Sequence, residues 1–393
     1  MKQKVIIGLS GGVDSSVAAW LLKQQGYDVH GLFMINWKDS SVTLSGDCSW
    51  EEDVLVAQLV AKQLGIPLHV VDSSIAYQEK VAEYIFREYG EGRTPNPDIL
   101  CNREIKFDVF LQEARGIGAH YYATGHYCRK ESFDAGGQTI YRLLAGSDPN
   151  KDQSYFLCQL SQHQLKDALF PIGHLMKPEV RDLAGRLELA SAAKKDSQGI
   201  CFVGKVDLPT FLQQKLKPRE GAIIEIPQMI TSGEQQVPND LKDLQIICSG
   251  RKYSAGDGKV VGTHKGAWFY TIGQRKGLNV GGTPEPLFVL STDIENNLIF
   301  TGQGKNHPGL MRKGLFIRLT DIHYIRPDLT IGVGESGHFL VRIRYRQELQ
   351  SAHLSMQDDG LYIVFDLPQR GITPGQFAAW YLEDELIGSG VIA

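Results

Sequence analysis

No apolar run in this chain approaches the ~18 residues that a membrane-spanning helix requires, which excludes a helical membrane protein. Nor is there a cysteine pair of the CxxC type. The six cysteines, Cys48, Cys101, Cys128, Cys158, Cys201 and Cys248, are scattered, which argues against a structural zinc site. In a reducing compartment such cysteines are mostly buried thiols, and few are chemical. An excess of one charge is missing as well. The net charge of −4 argues against nucleic-acid binding over the whole surface but leaves room for a local basic face. Met1 to Gly8 already reads as a strand entering a loop, which leaves no space for a signal or transit peptide. A cytoplasmic protein is therefore expected. What is present is the composition of a soluble globular chain, 42% hydrophobic and 22% charged over 393 residues. That length exceeds one domain of roughly 100–200 residues, so two or three domains are expected.

Residues 4 to 125 alternate short β-branched runs with helical patterns. VIIG at 5–8 precedes a helix over 13–25, and VHGLFM at 29–34 follows. A helix over 51–64, LHVVD at 68–72, a helix through Tyr84, another from Asn102 and YYATG at 121–125 complete the series. Strands separated by helices predict an α/β fold, a doubly wound parallel sheet with its site at the carboxyl ends of the strands. Residues 151–201 read as mostly helical. Near Asp207 the texture changes: one amphipathic stretch, LPTFLQQKL, leads into Gly- and Pro-rich sequence with short strands. LIFTG, HFLVRIRY, LYIVFDL and FAAWYLE then predict a small antiparallel β-barrel from about Phe288. The expected division is 1–206 for the nucleotide-binding domain, 207–287 for a small central domain and 288–393 for the barrel. Within the central domain, 228–257 reads as a polar surface insertion.

The most informative stretch is GLSGGVDSS at 8–16, directly after a hydrophobic strand and before a helix. Gly11 and Gly12 let backbone approach a phosphate, the leading helix amides face it, and Ser10, Ser15 and Ser16 add hydroxyls. No GK[ST] follows, so this is no Walker A loop and γ-phosphate transfer loses support. Asp14 fits among phosphates as a partner of Mg²⁺. A second stretch, GRTPNPDILCNREIKF at 92–107, carries two prolines that extend Thr94 and Asn96, which predicts a stiff, exposed loop. Cys101 follows it at a helix start with Arg103 and Lys106 nearby, a setting that favours a thiolate. Asp98 is placed to exchange a proton there, or is an ordinary turn aspartate. Cys201 lies in KKDSQGICFVG, with Lys194 and Lys195 close in sequence. In VRIRYRQ, period-two geometry puts Arg342, Arg344 and Arg346 on one strand face, suited to a phosphate backbone or simply to solvent.

The loop resembles the signature of the PP-loop ATP pyrophosphatases, which cleave between the α and β phosphates and adenylate a substrate. By that resemblance Gly8, Leu9, Ser10, Gly11, Gly12, Val13, Asp14 and Ser15 hold ATP, and Met34 and Gly125 line the nucleotide. Taken in order, SGGVDSS, TPNPDILCN, DQSYFL, DSQGICF, TIGQRKGL and PGQFAAWY resemble the bacterial tRNA-specific 2-thiouridylases across nearly the whole chain. The resemblance implies an adenine nucleotide alpha hydrolase-like domain, a central domain and a tRNA-binding barrel. It implies ATP-dependent 2-thiolation of the wobble uridine, with Cys101 as nucleophile and Cys201 as carrier of the persulfide. Either route of sulfur transfer, direct attack by the persulfide or release of hydrosulfide by Cys101, ends in a Cys101–Cys201 disulfide.

The same family places Asn96, Pro97 and Asp98 against the target base. Its tRNA contacts map onto His126, Lys151, Asp152, Gln153, Arg344, Tyr345 and Gln376, with Arg275 and Lys276 as further candidates. The implied partners are tRNAs of the Lys, Glu and Gln type and a cysteine desulfurase or sulfur-relay protein, acting on a monomer. One departure stands out, about 30 residues before the GTHKG segment where relatives pass quickly. Two rival readings remain: another PP-loop enzyme, such as a tRNA lysidine synthetase or an amide-forming synthetase, and a nucleotide- or RNA-binding module without catalysis. The first requires neither Cys101 nor Cys201. The second leaves the paired cysteines without purpose.

Overall fold

The computed structural model describes residues 2–39, 49–196, 208–228 and 241–393. β1 (Lys4–Gly8) passes through a tight loop into α1 (Val13–Gln24), and β2 (Asp28–Ile35), α2 (Ser49–Leu64), β3 (Leu68–Asp72) and β4 (Tyr121–Ala123) follow. Val5, Ile6 and Ile7 are completely buried, because helices cover both faces of a parallel sheet. The chain then makes a hairpin, β5 (Cys128–Ala135) and β6 (Gln138–Ala145), before returning to the sheet with the short β7 (Ala168–Leu169). Strand order is β3-β2-β1-β4-β7, all parallel. The winding runs outward from β1 to β3 and then crosses back to β4 on the other side of β1. That reversal opens a crevice at the carboxyl end of β1.

The helix expected from Asn102 begins earlier, at Pro97. Asn96 caps it by accepting hydrogen bonds from the amides of Asp98 and Ile99, and Pro97 occupies the first helical position. The helical run continues from Pro97–Leu100 through the π-helical Cys101–Val109 to Phe110–Gly116. LPTFLQQKL forms the helix Leu208–Gln213, which turns its apolar side onto the N-terminal domain: Phe211 stacks on Phe86 at 4.9 Å and leans on Trp37 at 5.6 Å.

β8 (Gly221–Glu225), β9 (Lys259–His264), β10 (Leu287–Asp293) and β11 (Leu298–Gln303) form a separate four-stranded sheet in the order β10-β11-β8-β9. LIFTG was expected in the barrel and lies here instead. Its alternation serves two small cores: Ile299 packs with Ile223 on one face and Phe300 with Ile224 on the other. The expected surface insertion is also corrected in part. Residues 229–240 lie outside the described residues, but Leu241–Cys248 is a helix whose Ile247 and Cys248 bury against Tyr362 and Val364 of the barrel.

The barrel comprises β12 (Met311–Tyr324), β13 (Ser336–Arg342), β14 (Gln350–Gln357), β15 (Gly360–Arg370), β16 (Phe377–Leu382) and β17 (Glu385–Ile392). Antiparallel pairing runs β12-β15-β14-β13-β16-β17, and β12 pairs with β17 to close the ring. One strand reaches both neighbours because its register shifts between Ile317 and Ile322. Leu315, Val341, Leu354, Phe365 and Trp380 fill the interior. On the outside, β6 adds to β17 through Leu143 and Leu144, so the hairpin joins the N-terminal domain to the barrel. Among the described residues no helix is long and apolar enough to cross a membrane.

Candidate active site

The loop after β1 lies in the crevice where the sheet reverses. Gly12 opens α1 with no side-chain cap among the described residues, so the leading amides of the helix direct their partial positive charge into the loop. Gly11 holds φ at +74°, and a Cβ there would stand 2.4 Å from the carbonyl oxygen of Asp53, so only glycine fits. Ser10 is exposed and exchanges a 3.2 Å hydrogen bond with Ser15. Ser16, expected at the phosphates, is completely buried instead: it donates to the Gly12 carbonyl at 2.8 Å and accepts from Ser191 at 2.9 Å. Gly8, Leu9 and Val13 contribute backbone only, the last two being buried.

The neighbouring strand ends supply the walls. Met34 stands near the carboxyl end of β2 and is almost buried. Two residues later Asn36 is buried with its Oδ1 lacking a partner among the described residues. Gly125 follows β4, where a Cβ would come within 2.9 Å of the backbone of Asp14 and Ser15. PP-loop, Met34 and Gly125 are thus brought side by side, and an uncapped helix end with an unpartnered buried acceptor beside it fits a nucleotide.

Sequence reasoning missed the ions around this loop. The Asp14 carboxylate accepts from Lys177 Nζ at 2.7 Å and from the Tyr127 hydroxyl at 2.8 Å. Lys177 also lies 2.9 Å from Asp196, which accepts in addition from Lys151 and Arg181, each at 2.6 Å. Burial alone would raise the Asp196 pKa, but the hydrogen bonds from Lys151 and Lys177 outweigh it and hold the carboxyl far below its usual range. Gln153 bonds both backbone groups of Tyr127, fixing the ring whose hydroxyl reaches Asp14. Lys194, expected to serve Cys201, is paired with Asp53 of α2.

Cys101 is not at an exposed helix start. It lies one turn into the helical run, completely buried in the same hydrophobic cluster as Met34, Ile99 and Leu100. The preceding segment is half-buried rather than exposed, and it is held from three sides. Arg93 makes a bidentate pair with Glu88 at 2.5 and 2.8 Å. The Thr94 amide donates to Pro374 O at 2.8 Å, while Gln376 Nε2 donates to the carbonyls of Thr94 and Pro95 at 2.8 and 3.2 Å. Thr94 Oγ1 meets Thr271 Oγ1 at 3.1 Å. Asn96, Pro97 and Asp98 follow as the half-buried start of the helix. Cys201 lies outside the described residues.

Several residues expected at tRNA are engaged inside the protein. His126 is buried against Phe107 and bonded to Thr124 at 2.8 Å; burial, aided by Lys106, pushes its pKa well down. Asp152 is buried, accepting from Arg342 at 2.9 Å, from the amides of Gly146 and Ser154 and from the Ser154 hydroxyl. The three-arginine stripe does not exist. β13 ends at Arg342, whose side chain leaves the barrel for Asp152 and lies over Tyr381, and the chain turns with Arg346 at φ 63°. Arg344 and Arg346 instead line an open cavity of about 500 Å³ with Tyr345 and Arg370. There Arg344 donates to Gly371 O at 2.5 Å and Tyr345 packs on Phe156.

Comparison with known proteins places this geometry. A family model described as the tRNA methyl transferase HUP domain matches residues 3–205. The tRNA methyl transferase PRC-barrel domain matches 244–303, and the aminomethyltransferase beta-barrel domain matches 316–392. The chain is similar to the tRNA-specific 2-thiouridylase MnmA of Flavobacterium johnsoniae, 58% identical over 394 aligned positions that cover all of both chains. It is 57% identical to that of Christiangramia forsetii, again over the whole of both. The enzyme of Proteus mirabilis is 41% identical, covering 100% of this chain and 97% of its own. With a PP-loop at the sheet's switch point, a PRC-type sheet in the middle and a closed barrel behind it, the chain belongs to the tRNA-specific 2-thiouridylase family of sulfur-transferring enzymes.

Proposed function

We propose that the protein spends ATP to replace O2 of the wobble uridine of a tRNA by sulfur. The observation that carries this reading is the uncapped N-terminus of α1 between Met34 and Gly125, in a chain that matches 2-thiouridylases along its whole length. O2 of uridine is a poor leaving group. Attack by O2 on the α phosphate forms the adenylated base and expels pyrophosphate. Sulfur from a persulfide on Cys201 then displaces AMP, either directly or as hydrosulfide freed by Cys101, and the cycle closes on a Cys101–Cys201 disulfide that an external thiol reduces. Asp98 would exchange a proton at the base, with Asn96 and Pro97 beside it. Mg²⁺ would be held by Asp14 together with phosphate oxygens and water, as suits a hard cation offered one carboxylate.

Lys151, at the mouth of the ion cluster, and the Arg344, Arg346 and Arg370 cavity are the proposed contacts to the tRNA backbone. The sulfur source would be a cysteine desulfurase or relay protein, and the acceptors tRNAs of the Lys, Glu and Gln type. Incubation with ATP, a persulfide source and unmodified tRNA should yield a thiolated product retarded on a mercury gel, and Cys101→Ala or Cys201→Ala should abolish it. No retarded band with the wild type, or a full band with Cys201→Ala, refutes the proposal.

A further inference from the structure

A phosphate loop without its lysine is electrostatically incomplete, since backbone amides and hydroxyls carry only partial charges against a ligand of several negative charges. In this fold a lysine arrives from far along the chain. Lys177 is the first residue of the helix Lys177–Arg186, which packs against α1. Its backbone amide is anchored on Asp148 at 2.9 Å, and its side chain is only 10% exposed. The ammonium stands 2.7 Å from Asp14, inside the PP-loop, and 5.7 Å from the centre of the Tyr127 ring. Its second carboxylate, Asp196, is already shared with Lys151 and Arg181. Lys177 is thus the cation of this cluster that reaches the loop itself, while Lys151 and Arg181 are held by Asp196.

We propose that Lys177 is the cation that holds the β and γ phosphates of ATP in this loop and neutralises pyrophosphate as it leaves. The inference rests on the adenylation reading above. When ATP enters, Lys177 Nζ exchanges Asp14 for phosphate oxygen, and Asp14 is released toward the metal. In the chemical step the bond from uridine O2 to the α phosphorus forms and the bond from that phosphorus to the bridging oxygen breaks. The electron pair departs on pyrophosphate, and the ammonium keeps its proton throughout. Lys177 thus occupies in space the role that a Walker lysine occupies in sequence.

Calorimetric titration of the full chain with Mg·ATP, Mg·pyrophosphate and AMP tests this, because AMP lacks the phosphates that Lys177 would contact. Lys177→Met should weaken ATP and pyrophosphate at least tenfold and leave AMP within twofold, while Lys177→Arg should recover part of the loss. Asp196→Asn removes a competing carboxylate without touching the ammonium, so ATP should bind as well as or better than to the wild type. Undiminished ATP binding by Lys177→Met overturns the inference. Equal loss of ATP and AMP overturns it too, as does an Asp196→Asn variant that copies the loss, because each marks Lys177 as a structural tether. Should Lys177→Met not fold, Asp196→Asn and Lys177→Arg decide alone. A wild-type protein that binds neither ATP nor pyrophosphate fails at the earlier step, the adenylation reading itself.

Discussion

Asp152 offers the sharpest division between a residue that touches RNA and one that holds the fold. It accepts from Arg342 at 2.9 Å, from the amides of Gly146 and Ser154 at 3.1 and 3.0 Å and from the Ser154 hydroxyl at 3.1 Å. Both charged partners are at least nine-tenths buried as side chains. In Asp152→Ala the guanidinium of Arg342 keeps its place over Tyr381 but loses its counter-charge, and removal of one partner of a buried pair costs about 3–5 kcal/mol. That is a large part of the 5–15 kcal/mol typical of a domain. Arg342→Met should cost less, because Asp152 retains three hydrogen bonds. The double variant Asp152→Asn with Arg342→Met leaves no buried charge and should be more stable than Asp152→Ala. Thermal melting by near-UV circular dichroism reads the order, and tRNA binding is measured at a temperature where each variant is folded. Asp152→Ala melting within about 1 °C of the wild type while losing its tRNA affinity would refute the reasoning.

Gly125→Ala forces a methyl group to within 2.9 Å of the backbone of Asp14 and Ser15, so nucleotide affinity should fall at least about tenfold, as befits strain placed on a binding loop, while the melting temperature moves little; unchanged ATP binding counts against the cradle. Four of the six cysteines, Cys101, Cys128, Cys158 and Cys248, are buried, and burial pushes the thiols of Cys158 and Cys248 up to about 12. Disulfide-exchange titration of the native protein at pH 8 should therefore show at most two fast thiols, with the rest appearing only in denaturant. Burial lowers the Lys130 pKa to about 8 from the 10.5 it has when unfolded, so between these values the unfolded chain binds the extra proton and folding gains as pH rises. Against Lys130→Arg, which cannot deprotonate, the wild type should gain about 1–2 kcal/mol from pH 8 to 10.5, after discount for partial exposure; a constant difference refutes the shift.

What could be read from the sequence was local. A hydrophobic strand, two glycines and a helix start lie within a dozen residues, so the PP-loop was legible, and with it the doubly wound sheet. Where one local signal serves two destinations, the reading failed. The alternation of LIFTG suits a sandwich of two small cores as well as a barrel wall, and only its parallel pairing with β8 decides. VRIRYRQ has perfect period-two spacing, yet the strand ends at Arg342 and the chain turns through a left-handed Arg346, so the stripe does not form. The ion cluster was invisible for another reason. Lys177 and Asp14 are 163 positions apart, and although Pro178 and Glu179 mark the start of a helix, nothing local shows which loop its first residue meets.

The same distance in sequence hides how the barrel takes part in the site. Thr94 and Pro95 have their carbonyls occupied by Gln376, and the Thr94 amide bonds Pro374. Gly375 between them lies so close that a Cβ would meet the Thr94 amide at 2.9 Å. A proline-stiffened segment has few amides of its own with which to form a turn, so its geometry must be supplied by whatever it packs against. Here that partner is the start of β16, in the domain that carries the arginine-lined cavity. Tyr155 adds a second tie, donating to the carbonyls of Ile343 and Phe377 from just beyond the segment that fixes Tyr127 and Asp14. A shift of the barrel would therefore be felt both at the helix start that leads to Cys101 and at the phosphate loop.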